Sequence, residues 1–188
     1  MADKVKERRI STSKITQSAI ISALLIVLQV TLRVIPNVEV VTAIIIASAF
    51  ALPLSVSLSA VLVFCTAQGL IYGFSYWVIS YFIYWPLLAF VSLSLKAVKK
   101  PQLRVILATV IAISLTALFG VITTAVDSAF ASGFTSSFFV YFPPLYARGI
   151  WFYVTHIVSN GIIVPLLFPP IAKELLLRGK GGLTNNEI

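Results

Sequence analysis

The sequence predicts an all-α membrane protein of six transmembrane helices with both termini cytoplasmic, and three observations predict it. Hydrophobic residues make up 59% of the 188-residue chain and charged residues only 11%, against roughly 25% charged in an ordinary soluble domain. Six apolar segments are bounded by charge, proline or glycine. Three basic clusters fall before the first segment, between the fourth and fifth, and after the sixth, so an even number of crossings gathers them on one side. One domain over 1–188 accounts for the length, with 1–14 a polar cytoplasmic lead-in and 179–188 a flexible tail.

A bilayer core of about 30 Å needs roughly 20 apolar residues per spanning helix. The segments run Ile15–Val34, Val40–Leu52, Leu54–Gly73, Tyr76–Val98, Leu103–Val126 and Tyr146–Ala172. The second is short, and Pro53 after it predicts a tight turn, because proline lacks an amide donor and disfavours helix in the residue before it. The clusters are Lys4, Lys6, Arg8, Arg9 and Lys14; Lys96, Lys99, Lys100 and Arg104; and Lys173, Arg178 and Lys180. The positive-inside rule makes their side cytoplasmic, leaving Arg33 and Arg148 at the outer ends of the first and sixth helices. The connection Asp127–Leu145, rich in aromatics, is expected to fold back over the outer helix ends as a lid or re-entrant cap.

Several functions are excluded by inventory. The net charge of +8 is accounted for by topology, so no nucleic-acid partner is expected. One histidine and one cysteine, Cys65, cannot make a His/Cys zinc site. Neither G-x-S-x-G nor H-E-x-x-H occurs, and no phosphate-cradling G-x-x-x-x-G-K-[ST] is present. The expectation is therefore no catalytic residue, no metal and no intrinsic cofactor, and uphill transport would need ATPases on another subunit.

Candidate functional residues lie in two places. On the first helix, Ala19 and Ala23 at i and i+4 share a face on which another helix can approach closely, within this chain or from a partner. Gly69 and Gly73 on the third helix repeat the spacing and are read as internal packing. The second place is an outward-opening pocket. The first connection brings Asn37 and Glu39, the third helix Gln68 and Tyr72, and the fourth Trp77, Tyr81, Tyr84 and Trp85 on one face. That aromatic stripe reads either as an interfacial belt or as the stacking wall of a ligand cavity. The sixth helix adds Arg148, Trp151, His156 and Asn160, where Arg148 either marks function or snorkels to the boundary. Glu39 and Asp127 are expected to pair with Arg33 or Arg148.

Six helices, this length, cytoplasmic ends and Ala19-x-x-x-Ala23 make the chain resemble the substrate-binding S components of energy-coupling factor (ECF) transporters, vitamin-uptake systems of bacteria. The stretch Pro36-Asn37-Val38-Glu39-Val40-Val41-Thr42 is similar to a P-N-V-x-x-V-T stretch in one subgroup, some of them linked to cobalamin. That subgroup often has a glycine-rich turn after the second helix, and Ala51-Leu52-Pro53-Leu54 departs from it. The resemblance implies a multi-pass protein of the bacterial cell membrane that binds a vitamin from outside. It implies docking through Ala19 and Ala23 onto a transmembrane coupling subunit that works with two cytoplasmic ATPases. Cobalamin is the favoured ligand, with pantothenate or a pyrimidine precursor as alternatives. The rival from another class is a self-sufficient small oligomeric permease, which would need a continuous polar path.

Overall fold

The structure, a computed structural model, describes residues 12–35 and 38–180; residues 1–11, Pro36, Asn37 and residues 181–188 lie outside the described residues. Six α-helices follow one another: α1 (Thr12–Leu32), α2 (Val41–Ala51), α3 (Leu54–Tyr72), α4 (Tyr76–Ser92), α5 (Pro101–Ala131) and α6 (Phe138–Lys180). A 3-10 turn, Leu93–Ala97, extends α4, and no strand occurs among the described residues. Five of these helices are long and apolar enough to cross a membrane, so the chain is a multi-pass membrane protein. The exception is α2, whose 11 residues reach only about 16 Å.

Short connections force consecutive helices to run antiparallel, and side-chain contacts fix which helices are neighbours. α1 lies parallel to α3, with the Ser18 and Ser22 hydroxyls donating to the Val56 and Ala60 carbonyls at 3.2 Å each. α2 lies parallel to α6, meeting it through Asn160 at one end and through Phe50 against Phe168 at the other. It is enclosed on its remaining sides by α3, α4, α1, α5 and the 3-10 turn. Val41 to Ala49 are all buried, which resolves its short length: protein rather than lipid covers its ends and flanks. α5 and α6 form the longest pairing, closed where the Tyr153 ring seats on Gly120 and its hydroxyl meets Thr124 Oγ1 at 2.9 Å.

One end of the bundle collects the starts of α1, α3 and α5 and the ends of α2, α4 and α6, and with them Lys14, Lys96, Lys99, Lys100, Arg104, Lys173 and Arg178. Lys96 closes this end, its ammonium donating to the Leu52 carbonyl at 2.7 Å. The opposite end carries Arg33, Glu39, Asp127 and Arg148.

Two sequence expectations need correcting here. The segment 127–145 is not a cap: α5 continues to Ala131 and α6 begins at Phe138, leaving only a six-residue turn. A Schellman closure ends α5, with Phe134 N–H donating to Ala129 O at 2.9 Å and Gly133 N–H to Phe130 O at 3.2 Å, and Gly133 supplies the positive φ of 62°. α6 then runs through Pro143 and Pro144, and later Pro165, Pro169 and Pro170, to Lys180. It thus extends beyond the expected Tyr146–Ala172 at both ends, with Pro143 and Pro144 exposed in its second turn. Gly69 packs within the chain: the Phe74 ring folds back onto it, and a Cβ there would stand 2.6 Å from that ring. Gly73 is the α3 C-cap with φ 85°, a conformation glycine adopts at no steric cost.

Candidate functional site

A buried polar cluster is assembled around Glu39. Glu39 precedes α2, where its carboxylate can satisfy an amide left without a helical partner: Oε2 accepts the Thr42 N–H at 2.8 Å. The Thr42 hydroxyl donates to Oε1, and His156 Nε2 on α6 lies 3.1 Å from the same oxygen. Burial would raise the Glu39 carboxyl, but the hydrogen bond and charge of His156 and the two bonds from Thr42 outweigh it and hold it below the ordinary value. The expected partner, Arg33 or Arg148, is thus replaced by His156. The Arg33 guanidinium instead sits 4.4 Å above the Tyr72 ring.

Deeper in the bundle, Asn160 Nδ2 donates to Thr116 Oγ1 at 2.9 Å and to Thr42 Oγ1 at 3.4 Å. The Tyr84 hydroxyl lies 3.4 Å from Thr116 Oγ1. Four elements therefore converge: the α1–α2 connection with the start of α2, α4, α5 and α6.

Above this cluster opens a cavity of about 310 Å³, between the end of α1, the α1–α2 connection, α4, α5 and α6. Tyr81, Trp85, Phe119 and Phe152 supply aromatic walls, Glu39 and His156 a polar floor, and Gln29 and Arg33 the side formed by α1 and its connection. Three polar atoms on this lining are buried without a partner: Trp85 Nε1, Gln29 Oε1 and His156 Nδ1. Buried polar groups are ordinarily bonded, so these three atoms are the hydrogen-bonding capacity that the cavity lining leaves open. Trp85 offers a donor and Gln29 an acceptor. With Nε2 donating to the Glu39 carboxylate, His156 Nδ1 is an acceptor in the neutral ring and a second donor in the charged one.

The described residues expected at the site fall in five places. Glu39, Tyr81, Trp85 and His156 line the cavity, while Tyr84 and Asn160 lie in the polar cluster beneath it. Trp77 and Tyr72 continue the aromatic chain away from it: Tyr81 stands 5.6 Å from Trp85, Trp77 5.0 Å from Tyr81 and Tyr72 6.3 Å from Trp77. Gln68 is buried on α3 with its Nε2 unpaired and is not on the cavity lining. Arg148 and Trp151 are placed elsewhere; both are exposed, Trp151 at 79%, on the outward side of α6. Cys65 is buried, its thiol 3.5 Å from the Tyr81 carbonyl. Sequence reasoning did not select Gln29, Thr42, Thr116, Phe119 or Phe152 for the site. Thr42 sat in the quoted Pro36–Thr42 stretch, and Phe152 in the polar-aromatic band of the sixth helix, while the other three carried no local signal.

On the far side of the molecule, α1 and α3 enclose a groove of about 1020 Å³. Ser18 and Ser22 make the contacts to α3, whereas Ala19 and Ala23 remain exposed along the groove with Ser55 and Ser59. The alanines are therefore not consumed by packing within this chain. No family profile, no curated protein and no solved structure matches the chain.

Proposed function

We propose that the chain is the substrate-binding S component of an ECF-type vitamin importer, crossing the membrane six times with its basic end cytoplasmic and its cavity facing outward. The observation that carries this reading is the cavity itself: three unpaired polar atoms from α1, α4 and α6 around aromatic walls, at the end opposite the basic clusters. Enclosure of α2 by protein supports its counting as a short crossing. The exposed Ala19 and Ala23 support a coupling subunit docking on α1, with two ATPases supplying the energy that no motif in this chain supplies.

The lining favours a flat, weakly charged ligand that stacks on Trp85 and Tyr81 and carries a donor and an acceptor on its edge. About 310 Å³ lies at the low end of ligand cavities, which suits a pyrimidine precursor or pantothenate. Cobalamin, suggested by the Pro36–Thr42 stretch, is larger and requires the wall made by α1 and its connection to swing outward. That wall is the least anchored, since only Ile21, Ser22 and Leu25 of α1 are buried. The permease reading finds no support in the interior below Asn160, where Ile45, Ile46, Leu88, Val164 and Phe168 are buried apolar groups.

The test is mass spectrometry of the small molecule carried by the purified protein, followed by its titration against variants. Trp85→Ala and Asn160→Ala are expected to weaken binding by about tenfold or more, as loss of a stacking or hydrogen-bonding partner does. Equal affinity in both variants would overturn the site.

A further inference from the structure

A second cavity, unconnected with the ligand site, lies at the basic end. It is a cleft of about 320 Å³ between the first turn of α5 and the last turns of α6, floored by Phe50 and Phe168. Arg104 stands on one side and Lys173 on the other. The Arg104 guanidinium is fixed: it lies 4.4 Å over the Phe50 ring, and its Nη2 and Nε donate to the Val98 carbonyl at 2.6 and 3.2 Å. Its third nitrogen, Nη1, has no acceptor, and neither Arg104 nor Lys173 meets a carboxylate among the described residues. Glu174, beside Lys173, is taken by Arg178. Two cations with no counterion among the described residues thus flank a cleft whose remaining surface is apolar, from Val105 on α5 to Leu176 and Leu177 on α6.

The chemistry that complements this arrangement is a phosphate joined to a hydrocarbon chain. We propose that the cleft binds an anionic diacyl phospholipid, its phosphate between Arg104 and Lys173 and one acyl chain against Phe50, Val105 and Phe168. Charge complementarity selects the occupant: basic pockets between transmembrane helices recognise anionic headgroups. The ring of Lys14, Lys96, Lys99 and Lys100 at the same end marks the level at which headgroups lie. Because the Arg104 fork is already immobilised, little side-chain freedom is lost when the phosphate arrives. The site depends on the chain lying in a membrane and is independent of which ligand the other cavity takes.

Native mass spectrometry of the full chain released from nanodiscs of equimolar phosphatidylglycerol and phosphatidylcholine tests this. Wild type is expected to retain phosphatidylglycerol in preference, and Arg104→Gln with Lys173→Gln to lower that retention by about tenfold or more. Val105→Trp, which fills the apolar part of the cleft without changing charge, is expected to lower it as well. The control pair Lys99→Gln with Lys100→Gln removes equal charge outside the cleft and is expected to leave retention unchanged. Should Arg104→Gln fail to fold for want of its bond to Val98, Lys173→Gln and Val105→Trp carry the test alone. Equal retention of the two lipids by wild type, or equal loss in the control pair, overturns the site. Unchanged lipid retention by Val105→Trp with loss of a co-purifying protein subunit would assign the cleft to that partner and overturn it too.

Discussion

Nine of the eleven residues of α2 are buried, against three of the twenty-one in α1, although both helices are rich in Ile, Val and Ala and nearly free of charge. Within a bilayer, lipid and protein interior are equally apolar, so hydrophobicity does not say which of them a helix faces. Length does: at about 16 Å α2 is stable only if protein covers it, while α1 is long enough to present one side to lipid or to another helix. α2 is thus the axis on which the fold is assembled, and α1 a stave held by one face.

The sharpest test of that contrast is Ile45→Ala in α2. Ile45 is wholly buried, and its truncation is expected to remove about 2–5 kcal/mol of stability, read as a lowered unfolding midpoint in detergent. Val27→Ala on the exposed face of α1 is expected to change stability by no more than about 0.5 kcal/mol; equal losses would abolish the distinction. Glu39→Gln ranks next, at about 1–3 kcal/mol, since it weakens the bonds to His156 Nε2 and the Thr42 amide and hydroxyl. The folded-state value of Glu39 is lowered, so its contribution is present above the ordinary carboxylate range and is lost as pH falls through the lowered value. A thermal-unfolding series in acid should show that loss in wild type and not in Glu39→Gln. The smallest effect on stability, within about 0.5 kcal/mol, is expected for Ala23→Trp, which projects into the open groove. Its consequence should fall on association, as loss of co-purification with a coupling subunit. A drop as large as that of Ile45→Ala would mean the groove is closed by this chain itself.

The same contrast explains what could be read from the sequence. The six helices were legible because charge, proline and glycine punctuate the apolar runs, and Glu39, His156 and Asn160 stood out as costly polar groups in an apolar setting. The four-residue aromatic face of α4 was legible from spacing alone. Arg148 and Trp151 lie off the cavity lining and are exposed, because a helix with apolar surroundings on all sides gives periodicity no direction. Thr116 and Gln29 were missed for the opposite reason: a hydroxyl or amide that becomes meaningful only through Asn160, or through a cavity formed by four other elements, has no local signature. The extent of α6 was illegible because a proline pair ordinarily marks a helix boundary, and α6 runs through Pro143 and Pro144.

α6 contributes Phe152 and His156 to the ligand cavity and Phe168 and Lys173 to the basic cleft, two stations about 25 Å apart along one rod. Between them Pro165 leaves a rung out of the amide ladder, and Pro169 and Pro170 leave two more within the second station. Bending of the rod is therefore least costly from Pro165 onward, on the side of the cleft and away from His156.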